Sequence, residues 1–192
     1  MKRAFLFFTC LFCSLALFAQ EHLVFKGIPI DGNIREFSQK LQESGFTLNR
    51  ENSSDTFRWF DGDFMGKESV LLVPFTSSGL VFKVFALHEY SSWSRLSSAF
   101  DDAVELYQKK YGKPDYDFKF FSSPYYEGDG FELQALRNDK CHYYYAWELE
   151  NGVITVSLTY LIDKYYIRYA YEDAVNQDKR DIEKENKALD DI

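Results

Sequence analysis

The chain of 192 residues carries 30 Asp and Glu against 22 Lys and Arg, a formal net charge of −8. Nucleic acids and anionic lipid surfaces bind proteins mainly through Lys and Arg, so this balance argues against both as partners. Aromatic residues make up 19% of the chain. The length fits one domain, and the aromatic content supplies enough apolar surface for its core.

The first residues have the pattern of an export signal. Lys2 and Arg3 precede an apolar run from Ala4 to Ala19, as a basic n-region precedes an apolar core. Cleavage after Ala19 would remove residues 1–19 and both basic residues with them, lowering the net charge from −8 to −10. The run is shorter than the ~20 residues of a spanning helix. We therefore expect export to the periplasm or cell surface, with no stable membrane span after removal; a retained anchor is the alternative.

The cysteines do not favour a lipid anchor, a disulfide or a reactive thiol. Cys10 and Cys13 lie inside the apolar run, whereas a lipid-attachment cysteine would end it, so we do not expect lipidation. Cys141 is the only cysteine outside the run, which leaves no partner for an internal disulfide. Because Cys141 opens an apolar strand, a buried core thiol is the favoured interpretation over a reactive one.

The first part of the chain predicts a short strand, a helix and then a meander. The short strand covers residues 20–30. Asn33 is placed to cap a helix that runs to Ser44, and Glu36 is placed to complete a capping box. Pro74 places the strand that contains it at an edge or a bulge. The strands of the meander are predicted near 46–48, 56–64, 68–76 and 80–88.

The strongest helix prediction is the stretch from Ser91 to Gly112. Ser91 or Ser92 can cap its start, and Gly112 followed by Pro114 ends it. Strand-like sequence flanks the helix, so its apolar stripe is expected to face a sheet. The stripe has helical spacing and contains Trp93, Leu96, Phe100, Ala103, Val104, Tyr107 and Tyr111.

More strands follow this helix, and the chain ends in a charged segment. Asn151-Gly152 is the strongest turn signal in the chain, and residues 138–140 form a second hairpin turn. Residues 173–192 predict a charged helix or tail. The strands are predicted at 117–121, 131–137, 141–148, 153–161 and 164–172.

The order of these elements predicts an α+β fold, with an antiparallel β-sheet and the helices on one face. A helix followed by a meander occurs twice, which indicates two tandem helix-plus-meander units. We therefore predict one α+β domain over residues 20–172, with possible halves 20–90 and 91–172.

Common catalytic motifs are missing from the sequence. There is no G-x-S-x-G nucleophile elbow. A Cys–His enzyme would need a histidine at Cys141, but His142 is its neighbour in a strand and points to the opposite face. His22 and His88 stay open as partners, and so does a pair of carboxylates brought together by the fold. We assign no catalytic residue.

Metal motifs are missing too. The sequence contains neither H-E-x-x-H nor C-x-x-C. Two acidic turns with glycine, residues 61–63 and 127–130, do not match a calcium loop, and a plain turn explains both. We assign no metal ligand and no cofactor.

The most distinctive feature is the tyrosine-rich second half. Tyrosine combines an apolar body with a polar tip, which suits half-buried surfaces and interfaces. Alternation along the strand 141–148 places Tyr143, Tyr145 and Trp147 on one face and Tyr144 on the other. One interpretation is that one face is core and the other carries tolerated aromatics. The other is an exposed patch that binds a protein or a glycan, with candidate residues Tyr143, Tyr144, Tyr145, Trp147 and Tyr166.

Short motifs resemble uncharacterised exported proteins of Bacteroides-like bacteria. They are a signal that ends in FAQ, FKGIPIDG before the first helix, KKYGKP at the end of the second helix, and a terminal LDDI. That resemblance implies export but no activity and no residue role. The order of helices and strands also resembles β-lactamase-inhibitor-like proteins, a resemblance of fold order that does not itself imply a function.

Together these observations favour an exported, non-enzymatic binding protein of the cell envelope, with an unidentified protein or glycan partner. An inhibitor or immunity-type protein, an enzyme with an unrecognised site and an envelope structural component are the alternatives.

Overall fold

The computed structural model describes residues 21–190. The predicted export signal, residues 1–19, lies outside them. The helices are α1 (Ile34–Glu43), α2 (Trp93–Tyr111), α3 (Glu132–Arg137) and α4 (Ala174–Asp190). The strands are β1 (Val24–Phe25), β2 (Ile28–Pro29), β3 (Thr47–Asn49), β4 (Phe57–Phe64), β5 (Lys67–Pro74), β6 (Lys83–Tyr90), β7 (Tyr116–Phe121), β8 (Cys141–Leu149), β9 (Gly152–Leu161) and β10 (Lys164–Asp173).

One antiparallel sheet of eight strands carries the fold, in the order β3-β4-β5-β6-β10-β9-β8-β7. The predicted α+β class with an antiparallel sheet is confirmed. Helix α1 precedes the meander β3–β6, and α2 precedes β7–β10, with α3 inserted between β7 and β8. The last strands of the two meanders, β6 and β10, pair over eight residues from Lys83 to Tyr90. The two helix-plus-meander units therefore share a single sheet.

Helix α2 packs its apolar stripe on one face of this sheet. Its residues Leu96, Phe100 and Tyr107 are buried, and each large side chain buried in this way contributes about 1.5–3 kcal/mol. The Tyr107 ring stacks on that of Tyr169, with centroids 5.6 Å apart. The Tyr107 hydroxyl lies 2.6 Å from the hydroxyl of Tyr171. The pairing satisfies two polar atoms that burial removes from water.

The ends of α1 and α2 lie close to their predicted positions. Asn33 caps α1 by accepting a hydrogen bond from the Arg35 amide at 2.9 Å. Arg35 is the second helical residue rather than the third, and Glu36 makes no reciprocal bond to the Asn33 amide within the described residues. Asn33 is therefore a simple N-cap and the expected capping box does not form. Ser92 occupies the cap position of α2 without a side-chain hydrogen bond, and Gly112 ends that helix at φ 84°.

Residues 131–137 were expected as a strand, and this prediction is wrong. They form Phe131 and helix α3, and the strand neighbours of β8 are β7 and β9. Leu, Gln, Ala and Arg are strong helix formers, and Ala135 and Leu136 are both buried. The segment covers the end of the sheet as a short helix, and residues 138–140 connect α3 to β8 instead of closing a hairpin.

Two further strand predictions are corrected. β5 lies inside the sheet between β4 and β6, so the edge-strand alternative for Pro74 is wrong. The register between β5 and the chain around β6 shifts by one residue from Leu72↔Phe85 to Phe75↔Val81, which fits the bulge alternative. Pro74 ends β5, beyond the residues Val70–Leu72 that pair with β6, where its missing N–H costs no ladder bond to β6. The predicted strand near 20–30 is instead a tight hairpin of β1 and β2, because the turn residues Lys26 and Gly27 both have positive φ.

A buried polar cluster joins both ends of the described chain. Asp173 is fully buried and caps α4 by accepting from the Asn176 amide at 2.8 Å. Its Oδ2 accepts from the Leu23 amide at 2.7 Å, and His22 Nδ1 lies 3.0 Å from Oδ1, the oxygen that caps α4. The Asn176 side chain donates to the carbonyls of Ile30 and Val81, both at 2.8 Å. The charged segment after residue 173 is therefore a helix with an anchored first turn.

Candidate binding site on the open face of the sheet

The sheet face opposite α2 is here called the open face. Helices α1, α2 and α3 and the β1–β2 hairpin pack into one apolar cluster on the other face. Strand pairing places one row of open-face residues across all eight strands, in the order Thr47, Asp61, Val70, Leu87, Arg168, Ser157, Tyr144 and Phe118. This row ends in the aromatic residues Tyr144 and Phe118 and has a single arginine, Arg168, near its centre.

Part of the open face is buried although no described helix covers it. Leu87, Ala146, Tyr166 and Ala170 are buried but lie outside the main core cluster. Since successive side chains of a strand point to opposite faces, these four project away from α2. This face therefore has a packed centre.

Strand β7 gives the open face an exposed aromatic rim. It is an edge strand that pairs only with β8. Tyr116, Phe118 and Phe120 follow each other on the open face and are 47%, 49% and 50% exposed. A contiguous row of half-exposed aromatic rings is unusual on a protein surface that contacts only water, and such patches mark interaction sites.

The five tyrosine and tryptophan residues selected from the sequence divide between the two faces. Tyr143 and Trp147 are only 2% and 1% exposed and belong to the core under α2. Tyr145 packs against the same core and is partly buried. Tyr144 lies on the open face beside Phe118, and Tyr166 lies there as well, opposite Glu89 of β6.

Trp147 and Tyr143 have structural partners. The Trp147 indole N–H donates to the Gly112 carbonyl at 2.9 Å and so fixes the end of α2. The Tyr143 hydroxyl donates to Glu127 at 3.3 Å. Burial raises the pKa of Tyr143 well above its ordinary value, and the nearby Glu127 carboxylate adds to this. Both side chains therefore join the sheet to neighbouring elements.

A cleft of about 480 Å³ lies beside the aromatic rim. Phe118, Tyr144, Ser157 and Arg168 line it along one row of the sheet, with Phe120 and His142 on the next row towards the start of β8. The rings of Phe118 and Tyr144 lie 6.3 Å apart, and those of Phe120 and His142 lie 4.8 Å apart. Asp139, in the turn before β8, also lines the cleft.

Arg168 is the distinctive charge of this cleft. Its Nε donates to the Ser157 hydroxyl at 3.1 Å, and its guanidinium lies 5.7 Å from the centroid of the Phe85 ring. Desolvation lowers the pKa of Arg168, and only the nearby Tyr144 opposes the shift. No carboxylate of residues 21–190 forms an ion pair with it. The half-buried cation is thus held by neutral groups.

The other basic residues of this face differ from Arg168. Lys83 pairs with Glu172, and Lys164 pairs with Glu89 at 2.7 Å. Their charges are compensated within the chain. The sequence gives a partial signal for Arg168, because alternation from Tyr166 puts both on one face. The pairing with Ser157 and the cleft depend on strand register, which the sequence does not specify.

A second cleft of about 490 Å³ opens where β5 and β6 diverge. Both signs of charge line it, with Asp61, Glu68 and Glu89 on one hand and Lys67 and Arg95 on the other. Such mixed lining offers little preference for the charge of a ligand. The cleft adjoins the open face through Leu87 and Tyr166.

Cys141, His22 and His88 have structural roles. Burial raises the pKa of the Cys141 thiol to about 12, so it stays protonated and is a poor nucleophile. His22 bonds Asp173. His88 lies 3.0 Å from the Phe64 carbonyl and 3.3 Å from the Tyr169 hydroxyl, and desolvation lowers its pKa to about 4.

Within residues 21–190, no three His, Cys, Asp or Glu side chains come together as a possible metal site. In the same range, no helix combines the length and the apolar composition needed to cross a membrane.

Comparison with protein-family models, with curated proteins and with solved structures finds no match to the chain.

Proposed function

We propose that this protein is an exported, non-enzymatic binding protein of the cell envelope that holds its partner on the open face of the sheet. The observation that carries the proposal is the exposed aromatic row of Tyr116, Phe118 and Phe120 beside a cleft. Aromatic side chains contribute most to binding where a partner covers them, because they bury a large area at a small cost in side-chain entropy.

Export is the second part of the proposal. It is supported by the basic start and apolar run of residues 1–19. The acidic balance of the chain supports a partner other than nucleic acid or an anionic lipid surface. A protein or a glycan of the periplasm or cell surface fits both points.

An inhibitor or immunity-type protein is the second candidate. One observation favours it: both helix-plus-meander units contribute to a single continuous sheet, which provides a face broad enough to cover another protein's site. A stoichiometric complex in which the partner loses its activity would support this candidate over a neutral binding role.

The test is site-specific photo-crosslinking in the native envelope. A benzoylphenylalanine is placed at Phe118 on the open face, and in a matched control at Leu106 of α2, which lies away from the open face beside Val24 and Met65. The two side chains are 49% and 50% exposed, so accessibility does not bias the comparison. We expect one dominant crosslinked species from position 118 and none from position 106. Equal capture at both positions, or capture only at 106, would contradict the proposed surface.

A further inference from the structure

We propose that Arg168 is an anchor for a carboxylate, and that the cleft beside it binds an acidic sugar unit of hexuronic-acid type. The inference rests on the proposed function, because it assigns a ligand class to the same open face. It names Arg168 as the binding residue and a carboxylate as the group that it binds. It also predicts that a neutral analogue of the sugar binds more weakly.

Arg168 keeps most of its N–H donors free. A guanidinium has five N–H groups in a planar fork. Only Nε is used, by the Ser157 hydroxyl. Neither terminal nitrogen has an acceptor within residues 21–190, yet no fully buried side-chain nitrogen or oxygen there lacks a partner. The terminal nitrogens therefore reach the cleft, where two parallel N–H groups match the two oxygens of a carboxylate.

The positive charge of Arg168 has no anionic partner among the described residues. Removing a cation partly from water costs free energy unless an anion compensates it. Lys83 and Lys164 on the same face already have carboxylate partners, whereas Arg168 is held by a hydroxyl and an aromatic ring. Asp139 lines the cleft from the turn before β8 and forms no ion pair with Arg168. An anionic ligand would supply the missing partner.

The size and lining of the cleft fit a small sugar. Its volume of about 480 Å³ lies in the lower part of the range of small-ligand sites. Phe118 and Tyr144 offer ring faces to the C–H groups of a sugar, and Ser157, His142 and the Tyr144 hydroxyl offer hydrogen bonds to its hydroxyls.

The position of the cleft argues against a peptide strand. A peptide strand adds to a free sheet edge through main-chain hydrogen bonds. This cleft lies mostly on the face of the sheet, over β8, β9 and β10, and the edge strand β7 lines one side of it with Phe118 and Phe120. An acidic ring fits this position better than an extended backbone does.

The experiment is an NMR titration of the full exported chain with methyl glucuronide and, in parallel, with methyl glucoside. The two probes share the ring and differ in the carboxylate. We expect amide shifts confined to the cleft, around Tyr144, Ser157 and Arg168, and a Kd in the millimolar range for the glucuronide. The neutral glucoside should bind at least tenfold more weakly.

Variants distinguish the loss of the Arg168 anchor from a general effect of substitution on the fold. Arg168→Met should weaken glucuronide binding at least tenfold, and Arg168→Lys should restore part of it, because the charge returns without the fork. Ser157→Ala should weaken binding less, since it frees Nε but leaves the charge. Arg58→Met is the matched control, because Arg58 also lies over an aromatic ring, that of Phe75 at 4.7 Å, but does not line the cleft. It should leave the Kd unchanged.

Equal binding of both sugars, unchanged binding by Arg168→Met, or tighter binding of an acidic peptide would overturn the inference. Absence of cleft shifts with either sugar would overturn it as well. If capture through position 118 persists in that case, the binding function stands and only the carboxylate assignment fails. If both fail, the open face is not the binding surface.

Discussion

At the scale of single residues, buried polar side chains decide how the chain ends are held. Asn176 is 1% exposed and bonds the carbonyls of Ile30 and Val81, while Asp173 binds the segment that leads into β1. Charged and amide side chains in a segment rich in Asp, Glu and Lys read as solvent-exposed from sequence alone. The anchoring role of Asn176 depends on two carbonyls far away in the chain, so it could not be predicted.

Asn176→Ala is expected to lower the free energy of unfolding by about 2 kcal/mol, because it leaves two buried carbonyls without donors. Urea denaturation at neutral pH measures this. Asp178→Ala, at an exposed position on the same helix, is the control and should change the free energy by less than about 0.5 kcal/mol. Equal losses for the two variants would show that Asn176 does not anchor α4.

His88 predicts a specific pH dependence of stability. Its pKa is about 4 in the folded protein against an ordinary value of 6.5. The fold therefore favours the neutral imidazole, and this contribution is complete above pH 6.5 and is lost as the pH falls towards 4. Between pH 7 and pH 4.5 the loss from this residue is roughly 2 kcal/mol.

His88→Gln keeps an N–H donor for the Phe64 carbonyl and removes the titration. The variant should lose less stability than the original protein between pH 7 and pH 4.5, as measured by urea denaturation at both values. The other titratable groups are the same in both proteins, so the difference between the two pH responses isolates His88. Identical responses would contradict the assignment.

At the scale of elements, α2 was predictable because its stripe repeats with helical spacing and Gly112 ends it. Strand β8 was predictable as a strand, but not which of its faces is core, since Tyr143 and Tyr144 are chemically the same. Packing against α2 decides that Tyr143 is buried. The segment 131–137 was missed because Phe131, Leu133 and Ala135 alternate with polar residues as they would in a strand, and a stretch this short fits a helix as well.

Helix α2 offers a matched pair of leucines. Leu96→Ala removes a fully buried side chain and should lower the free energy of unfolding by about 2–5 kcal/mol. Leu106→Ala makes the same change at a side chain that is 50% exposed and should cost well under 1 kcal/mol. Thermal and urea unfolding measure both. A similar cost at both positions would refute the packing of α2.

At the scale of the whole molecule, two tandem units and one antiparallel sheet were predictable from the order of elements. The junction of the units was not, because any strand of the first meander could have met the second. Hydrogen bonding between β6 and β10 makes the sheet continuous, and Phe25 packs on Tyr171 at a centroid distance of 5.1 Å. This continuity creates the open face across both units.

One shared sheet and core predict one unfolding transition. Peptides from β4 and β5 and peptides from β8 and β9 should lose hydrogen-exchange protection at the same urea concentration, because neither unit has a core of its own. Pulse-labelling mass spectrometry at increasing urea measures this. Two separate midpoints would show that the units fold independently.

The most direct measurement uses the partner that crosslinking identifies, purified without the crosslink. Its affinity is measured for three proteins: the original chain, the double variant Phe118→Ser, Phe120→Ser and the variant Leu106→Ser. Binding on the open face predicts at least a tenfold weaker Kd for the double variant, about 1.4 kcal/mol, and an unchanged Kd for Leu106→Ser. An unchanged Kd for the double variant, in a protein with its folded spectrum intact, would contradict the assignment of the open face as the binding surface.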